Sequence, residues 1–256
     1  MTTANTNDTV VKSAETAFAI VETLREREGA RITELAAELG MAKSTVHRHL
    51  NTLYRCGYIT REGHEYHVGL RFLELSEHAR DRRREYVLAR DKVEELARET
   101  AERAQFIVEE HGQGVYVHLE TGAHAVHTDS GVGKRIPLHA TSAGKAILAR
   151  WSDEAVERLL DEHGLEQLTD QTLTEREDLF AQLAEIRERG YSVNNQENTR
   201  GIRAVGVPVS GPDGRVIGAL SVSGPTHRMK GDRLDHELPD LLLGTANELE
   251  LNIMYE

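Results

Sequence analysis

Residues 32–57 read ITELAAELGMAKSTVHRHLNTLYRCG. Apolar residues recur at helical spacing on both sides of a glycine. Ile32, Leu35, Ala36 and Leu39 precede it, and Val46, Leu50 and Leu53 follow. Thr33 is placed to cap the first helix, Gly40 to close it, and Gly57 to end the second. Two short helices joined by a tight turn cannot bury both stripes alone, so a third element must cover them. Upstream, Ser13 reads as an N-cap, and Ala14, Ala17, Phe18, Val21 and Leu24 give a helix that ends at the RERE run and Gly29. Downstream, YITREGHEYHV (58–68) reads as two short strands around Gly63. This order is that of a winged helix-turn-helix, which leaves one face of its last helix free to enter a major groove.

A 3.6-residue wheel fixes that face. With Val46, Leu50 and Leu53 inward, Ser44, Arg48, Asn51 and Arg55 point out, and Thr45, His47 and Thr52 flank them. Arg48 can donate two hydrogen bonds to guanine and Asn51 can pair with adenine. Lys43, Ser44 and Thr45 sit at the helix start, where backbone N–H groups attract phosphate. Arg61, His64 and His67 on the hairpin are candidates for a backbone or minor-groove contact. Cys56, the single cysteine, reads as a small apolar residue packed under the hairpin, with a redox-sensing thiol as the alternative.

The whole chain has 256 residues and a formal net charge of −12. Residues 1–80 carry ten Lys or Arg against eleven Asp or Glu, while the remainder carries 21 against 32. A basic coat over the whole protein is excluded, and the asymmetry points to two domains with different partners. The acidic, Lys-poor composition fits a protein kept in solution at high salt by surface carboxylates, as in halophilic archaea; an ordinary acidic protein from a GC-rich genome fits it equally. One cysteine excludes an internal disulfide and every Cys-based zinc ribbon. No apolar run approaches the ~20 residues of a membrane span, and MTTANTNDTVVKS has no signal-peptide pattern, so a soluble, cytoplasmic protein is expected.

Residues 70–104 read as largely helical, with Leu70, Leu73 and Leu75 on one apolar face and a charge-dense joint from Arg80 to Glu85. From Phe106 to Thr128 three short strands are expected. Helices follow at 142–150, 153–163 and 175–189, the last with Leu179, Leu183 and Ile186 inward. YSVNNQE, IRAVGVPV and VIGALSVSG read as strands, and 232–254 as a final helix. The mixture predicts an α+β domain around an antiparallel sheet.

That second half suggests a pocket. HATSAGKA brings small residues to a helix start, where the amides of Ser142 and Ala143 would favour an anion. Ser221 and Ser223 are two apart on a strand and share a face. Asn194 ends the strand before a polar loop, and Ala204 offers an apolar wall. Ser142 and Lys145 also spell SxxK, a serine-nucleophile pattern, which makes a serine-type hydrolase the alternative; no SDN- or KTG-like partner follows. His111, His118, His124, His127 and His139 match no metal-ligand spacing, and no cofactor is expected. GVGKR (131–135) lacks the spacing of a phosphate loop.

On these residues the chain resembles the IclR-type transcriptional regulators. ITELAAELGMAKSTVHRHLNTLYRCGYI and YHVGLRFLEL carry the likeness near the amino end. PLHATSAGKAILA, RGYSVNNQENTRGIRAVGVPV and GALSVSGPTHRM carry it further on, in the family's order and spacing. The resemblance implies a winged helix-turn-helix at 10–69, a linker helix at 70–85, and an effector-binding and oligomerisation domain of GAF/PAS-like shape at 86–256. It implies a dimer or dimer of dimers on an operator, a small-molecule effector, and control of catabolic genes rather than catalysis. Its effector positions fall on Ser142, Ala143, Asn194, Ala204, Ser221 and Ser223. Asn194 stands where an acid can occur and Ala204 where a cysteine can occur, so effector identity does not carry over. A neutral Asn194 suits a carboxylate or sugar-acid ligand better than an aspartate would.

Overall fold

The computed structural model describes residues 10–126 and 130–255. The chain divides into two compact units between Ala79 and Arg80.

The first unit holds three helices and a hairpin: α1 (Lys12–Glu26), α2 (Ile32–Glu38), α3 (Lys43–Arg55), β1 (Ile59–Glu62) and β2 (Glu65–Val68). Helix α4 (Arg71–Asp81) follows and reaches the boundary. Ile20, Leu24, Leu35, Val46, Leu50 and Ile59 form a core with almost no exposure. Each such side chain contributes roughly 1.5–3 kcal/mol on burial. The hairpin is antiparallel, and Tyr66 also bridges to Ala30, which stitches it to the loop before α2.

Several local expectations change. Helix α1 starts at Lys12 with Val11 as its extended N-cap, because Ala14 N–H reaches the Val11 carbonyl, so Ser13 is not the cap. Its buried face keeps Val21 and Leu24 and takes in Ile20, while Phe18 is 67% exposed. Arg31, not Thr33, occupies the N-cap of α2, where the Glu34 carboxylate accepts from the Arg31 N–H at 2.7 Å. Cys56 is exposed rather than packed under the hairpin, since it is the αR C-cap of α3. Helix α4 buries no residue, and Leu70, Leu73 and Leu75 are all exposed.

The second unit begins with the last residues of α4, and α5 (Arg84–Thr100) follows a break at Arg82 and Arg83. Strands β3 (Arg103–Glu110), β4 (Gln113–Thr121) and β5 (Arg135–Pro137) come next. Helices α6 (Ser142–Leu148), α7 (Asp153–His163) and α8 (Arg176–Arg189) lead to β6 (Ser192–Asn195), β7 (Ile202–Ser210) and β8 (Val216–Pro225). A π-helical turn (Arg233–Glu237) runs into α9 (Leu238–Tyr255). The segment 122–126 is not a strand, and residues 127–129, including His127, lie outside the described residues. The third strand of that region is β5 instead.

Six strands form one antiparallel sheet in the order β5-β4-β3-β8-β7-β6. The period-2 alternation of strands separates its faces. Ala104, Phe106, Val205, Val207, Leu220 and Val222 face α5 and α9 in one apolar core. The opposite face meets α6, with Ile107, Tyr116 and Ala219 in a second core that takes in α7 and α8. Leu179, Leu183 and Ile186 of α8 are buried there. The fold is α+β, as expected. Among the described residues no helix is long and apolar enough to cross a membrane.

Two buried histidines link this unit to pH. His118 points its Nε2 at the Tyr86 carbonyl at 2.6 Å, and His139 its Nε2 at the Glu166 carbonyl. Burial pushes both imidazoles below the ordinary 6.5; for His118 the charges of Arg80 and Arg90 add to it, against the Tyr86 hydrogen bond. The unfolded chain therefore takes up protons first as pH falls. The stability these groups supply is whole above about pH 6.5 and is lost as pH falls through their depressed folded values. Thermal melts from pH 7.5 to 5 are expected to fall more steeply for the native chain than for His118→Gln; parallel curves would refute that assignment.

Candidate functional sites

Helix α3 carries no carboxylate in a chain with 43 Asp and Glu. Val46 and Leu50 anchor it. Lys43, Ser44, His47, Arg48, Asn51 and Arg55 are exposed, and Thr45 is half-buried at the margin. Local contacts leave most of this face unengaged by the fold. Asn51 Nδ2 lies 3.4 Å from His47 Nδ1, and the Thr52 hydroxyl donates to the Arg48 carbonyl. On the hairpin, Arg61 folds back, donating to the Gly63 carbonyl at 2.9 Å and lying over the Tyr66 ring. His64 is exposed at the tip. His67 is engaged instead: its Nδ1 meets the Glu28 carbonyl at 3.1 Å, and its ring fills the space a Cβ on Gly29 would need.

In the second unit, register sets the site. Asn194 pairs with Ala204, Ala204 with Ser223, and Ser223 with Arg103. One step along, Ser192 pairs with Gly206, Gly206 with Ser221, and Ser221 with Gln105. Two ranks thus cross four strands on the face that meets α6. The helix seats directly on β7: a Cβ on Gly206 would come within 2.8 Å of the Ser142 carbonyl carbon and Ala143 N. The Ser192 hydroxyl donates to the Ser142 carbonyl and locks the contact. Thr141, the N-cap, accepts from Gly144 N–H at 3.0 Å.

Beside this seat a cleft of about 30 Å³ is lined by all six residues picked from the sequence: Ser142, Ala143, Asn194, Ala204, Ser221 and Ser223. Arg103, Gln105, Thr141 and Tyr116 line it too, and sequence reasoning missed them. Arg103 and Gln105 share a strand face, but only cross-strand register shows that they oppose Ser223 and Ser221. Gln105 Nε2 donates to Ser221 Oγ at 2.8 Å, and Arg103 Nε to Ser223 Oγ at 3.1 Å. Burial pushes the Arg103 guanidinium below its ordinary value. Asn194 is more engaged than expected: its Nδ2 donates to the Ala140 carbonyl and its Oδ1 accepts from Glu197 N–H.

Lys145 is fully buried. Its Nζ donates to Glu197 at 2.6 Å and to Gln182 Oε1 at 2.8 Å. Burial pushes this ammonium down, and the Glu197 carboxylate opposes the shift. Both neighbours are acceptors, so the amine is tied up as a donor and is not the base a Ser–Lys nucleophile needs. The hydrolase alternative is not supported. Among the described residues no group of three or more His, Cys, Asp or Glu could hold a metal ion.

Comparison with known proteins agrees with this arrangement. The IclR helix-turn-helix domain matches residues 13–63, and the C-terminal domain of bacterial IclR transcriptional regulators matches residues 86–250. The chain is 34% identical over 248 residues to the HTH-type transcriptional regulator KdgR of Escherichia coli, covering 96% of this chain and 94% of that one. It is 30% identical over 247 residues to ArcR of Halobacterium salinarum, covering 95% and 94%. The crystal structure of IclR from Thermotoga maritima superposes with a TM-score of 0.78 at 27% identity, covering 95% of this chain and 98% of that one. With a carboxylate-free helix in its helix-turn-helix and a polar cleft in its second unit, the chain belongs to the IclR family: it is a DNA-binding transcriptional regulator with a C-terminal effector-binding domain and not an enzyme.

Proposed function

We propose that α3 is the helix that reads the operator. Lys43, Ser44 and Thr45 meet phosphate at its start, Arg48 and Asn51 read base edges, His47 and Arg55 flank them, and Arg61 adds a backbone contact from the hairpin. The absence of any carboxylate from a 13-residue exposed helix of so acidic a chain supports this reading best. Binding through one such face depends steeply on salt, because counterions are released from the duplex.

The C-terminal cleft takes the effector, a small organic or sugar acid, through Ser142, Ala143, Asn194, Ala204, Ser221 and Ser223. Residues 10–69 act as the reader, 70–85 as the linker and 86–256 as the sensing and oligomerising domain. The protein works in the cytoplasm as a dimer or dimer of dimers, which sets two readers on successive half-sites, and it controls catabolic genes. The effector shifts the balance only by binding one arrangement better than the other. The exposed leucines of α4 support a linker whose apolar face is completed by a second copy.

At fixed salt, Arg48→Ala is expected to lose about fivefold or more in affinity for genomic fragments retained by the native protein, since one bidentate contact is worth about 1–3 kcal/mol. Its melting curve should not move; unchanged affinity in a gel-shift assay would remove Arg48 from the interface. Replacing Ser221 and Ser223 together by alanine is expected to leave DNA binding intact and to abolish the response to a metabolite extract that shifts the native protein. A full response in that double variant would take both serines out of the pocket.

A further inference from the structure

Asn51 lies on the exposed face of α3, and its amide can face two ways. The amide oxygen accepts hydrogen bonds and the amide nitrogen donates two. Adenine offers an N6 donor beside an N7 acceptor, whereas guanine offers two acceptors, O6 and N7. One orientation of the amide therefore satisfies both adenine groups. The other sets donor against donor and acceptor against acceptor on adenine, yet still satisfies one acceptor of guanine. Whatever turns the amide decides which base the side chain reads.

His47, one turn earlier and also exposed, is the neighbour that this amide meets. Asn51 Nδ2 lies 3.4 Å from His47 Nδ1, and side chains four residues apart are neighbours on a helix surface. An amide nitrogen only donates, so Nδ1 accepts and the ring proton sits on Nε2. One amide N–H is thereby spent. The oxygen and the second N–H remain as an adjacent acceptor and donor, the pattern that adenine complements. Helix α3 carries no carboxylate, so no acidic acceptor on the helix competes for the amide. Arg48 and Arg55, three residues before Asn51 and four after it, can only donate. A carboxylate at position 47 would accept equally well but would repel phosphate, so a neutral imidazole is the acceptor that such a face tolerates.

We infer that His47 is a positioning residue: it holds the Asn51 amide in the orientation that reads adenine. This rests on the operator-reading role proposed above for α3 and gives His47 a part beyond flanking the contact residues. Two properties of the side chain at 47 then separate. Its charge sets how tightly any duplex is held, and its donor or acceptor character sets which base Asn51 selects.

The full chain is used to retain duplexes from a randomised pool at one mildly alkaline pH and one salt concentration, and the retained sequences are counted. Asn51→Ala marks the position that Asn51 reads: adenine favoured there by about fivefold or more in the native protein should become no commoner than the other bases. His47→Lys offers only donors, so the amide oxygen turns towards it; adenine at that position should lose its lead to guanine even though the added charge strengthens binding overall. His47→Glu offers only acceptors, so adenine should keep its lead although binding weakens for every duplex. A side chain that acted through charge or packing alone would move affinity and leave the base preference in place. In the double variant Asn51→Ala, His47→Lys the position should stay level; guanine enriched there would show the lysine reading the base itself and overturn the inference. An undiminished adenine lead in folded His47→Lys, or its loss in folded His47→Glu, would overturn it too, with melting curves reporting the fold. If Asn51→Ala levels no position, Asn51 is not a reader and the inference falls with that role. If it levels a position that His47→Lys leaves alone, the reader stands and the inference alone fails.

Discussion

The second unit depends on how closely α6 lies on β7. Gly206 makes that possible, because a side chain there would collide with the backbone of Ser142 and Ala143 rather than with a movable group. Gly144 has the matching role within α6 itself, where it lies against the backbone of Leu138. Gly206 thus lets a short helix sit on a sheet face at backbone contact, and Gly144 lets the turn before the helix close against it. Everything polar on that face follows from the approach: the helix start is carried to the serines of β8, and the space left beside it is the cleft.

A seat of this kind needs a tether, since a seven-residue helix has little stability of its own. The Ser192 hydroxyl fixes one end. Lys145 fixes the other through Glu197 and Gln182, with Asn194 bound to Glu197 and to Ala140. Removing one partner of a buried charge pair typically costs about 3–5 kcal/mol. The lysine that resembles a catalytic base from spacing alone is therefore a structural anchor. An apolar core lies on each face of the sheet, and the polar contacts of α6 are set beside the second of them.

Much of this is legible in the residues. The helix-turn-helix, the outward face of α3, the inward stripe of α8 and the shared face of Ser221 and Ser223 all follow from period 3.6 or period 2. Where the residues mislead, the causes are physical. Phe18 reads as inward because it lies one turn before Val21 at helical spacing, but the stripe that buries Val21 and Leu24 takes in Ile20 and leaves Phe18 exposed. Cys56 reads as buried because cysteine behaves as an apolar residue, but a helix C-cap faces outward here. Arg103 and Gln105 are hidden because the helix reads on to residue 104 and the strand only from Phe106, whereas β3 starts at Arg103; its pairing to β8 then shows which polar residues oppose the serines. Register is a long-range property, and 116 to 120 residues separate these partners.

The proposed reader and the proposed sensor draw on opposite chemistry within one acidic chain. One is a helix cleared of carboxylates, and the other a polar cleft let into a core. The seating of α6 joins the sensor's elements, and amide hydrogen exchange tests it most directly. In Gly206→Ala the added methyl should lift the helix at a cost of about 1–3 kcal/mol. Exchange across residues 142–148 should then quicken by about fivefold or more while α1 to α3 exchange as before. Unchanged protection of 142–148 in a folded Gly206→Ala protein would contradict the account.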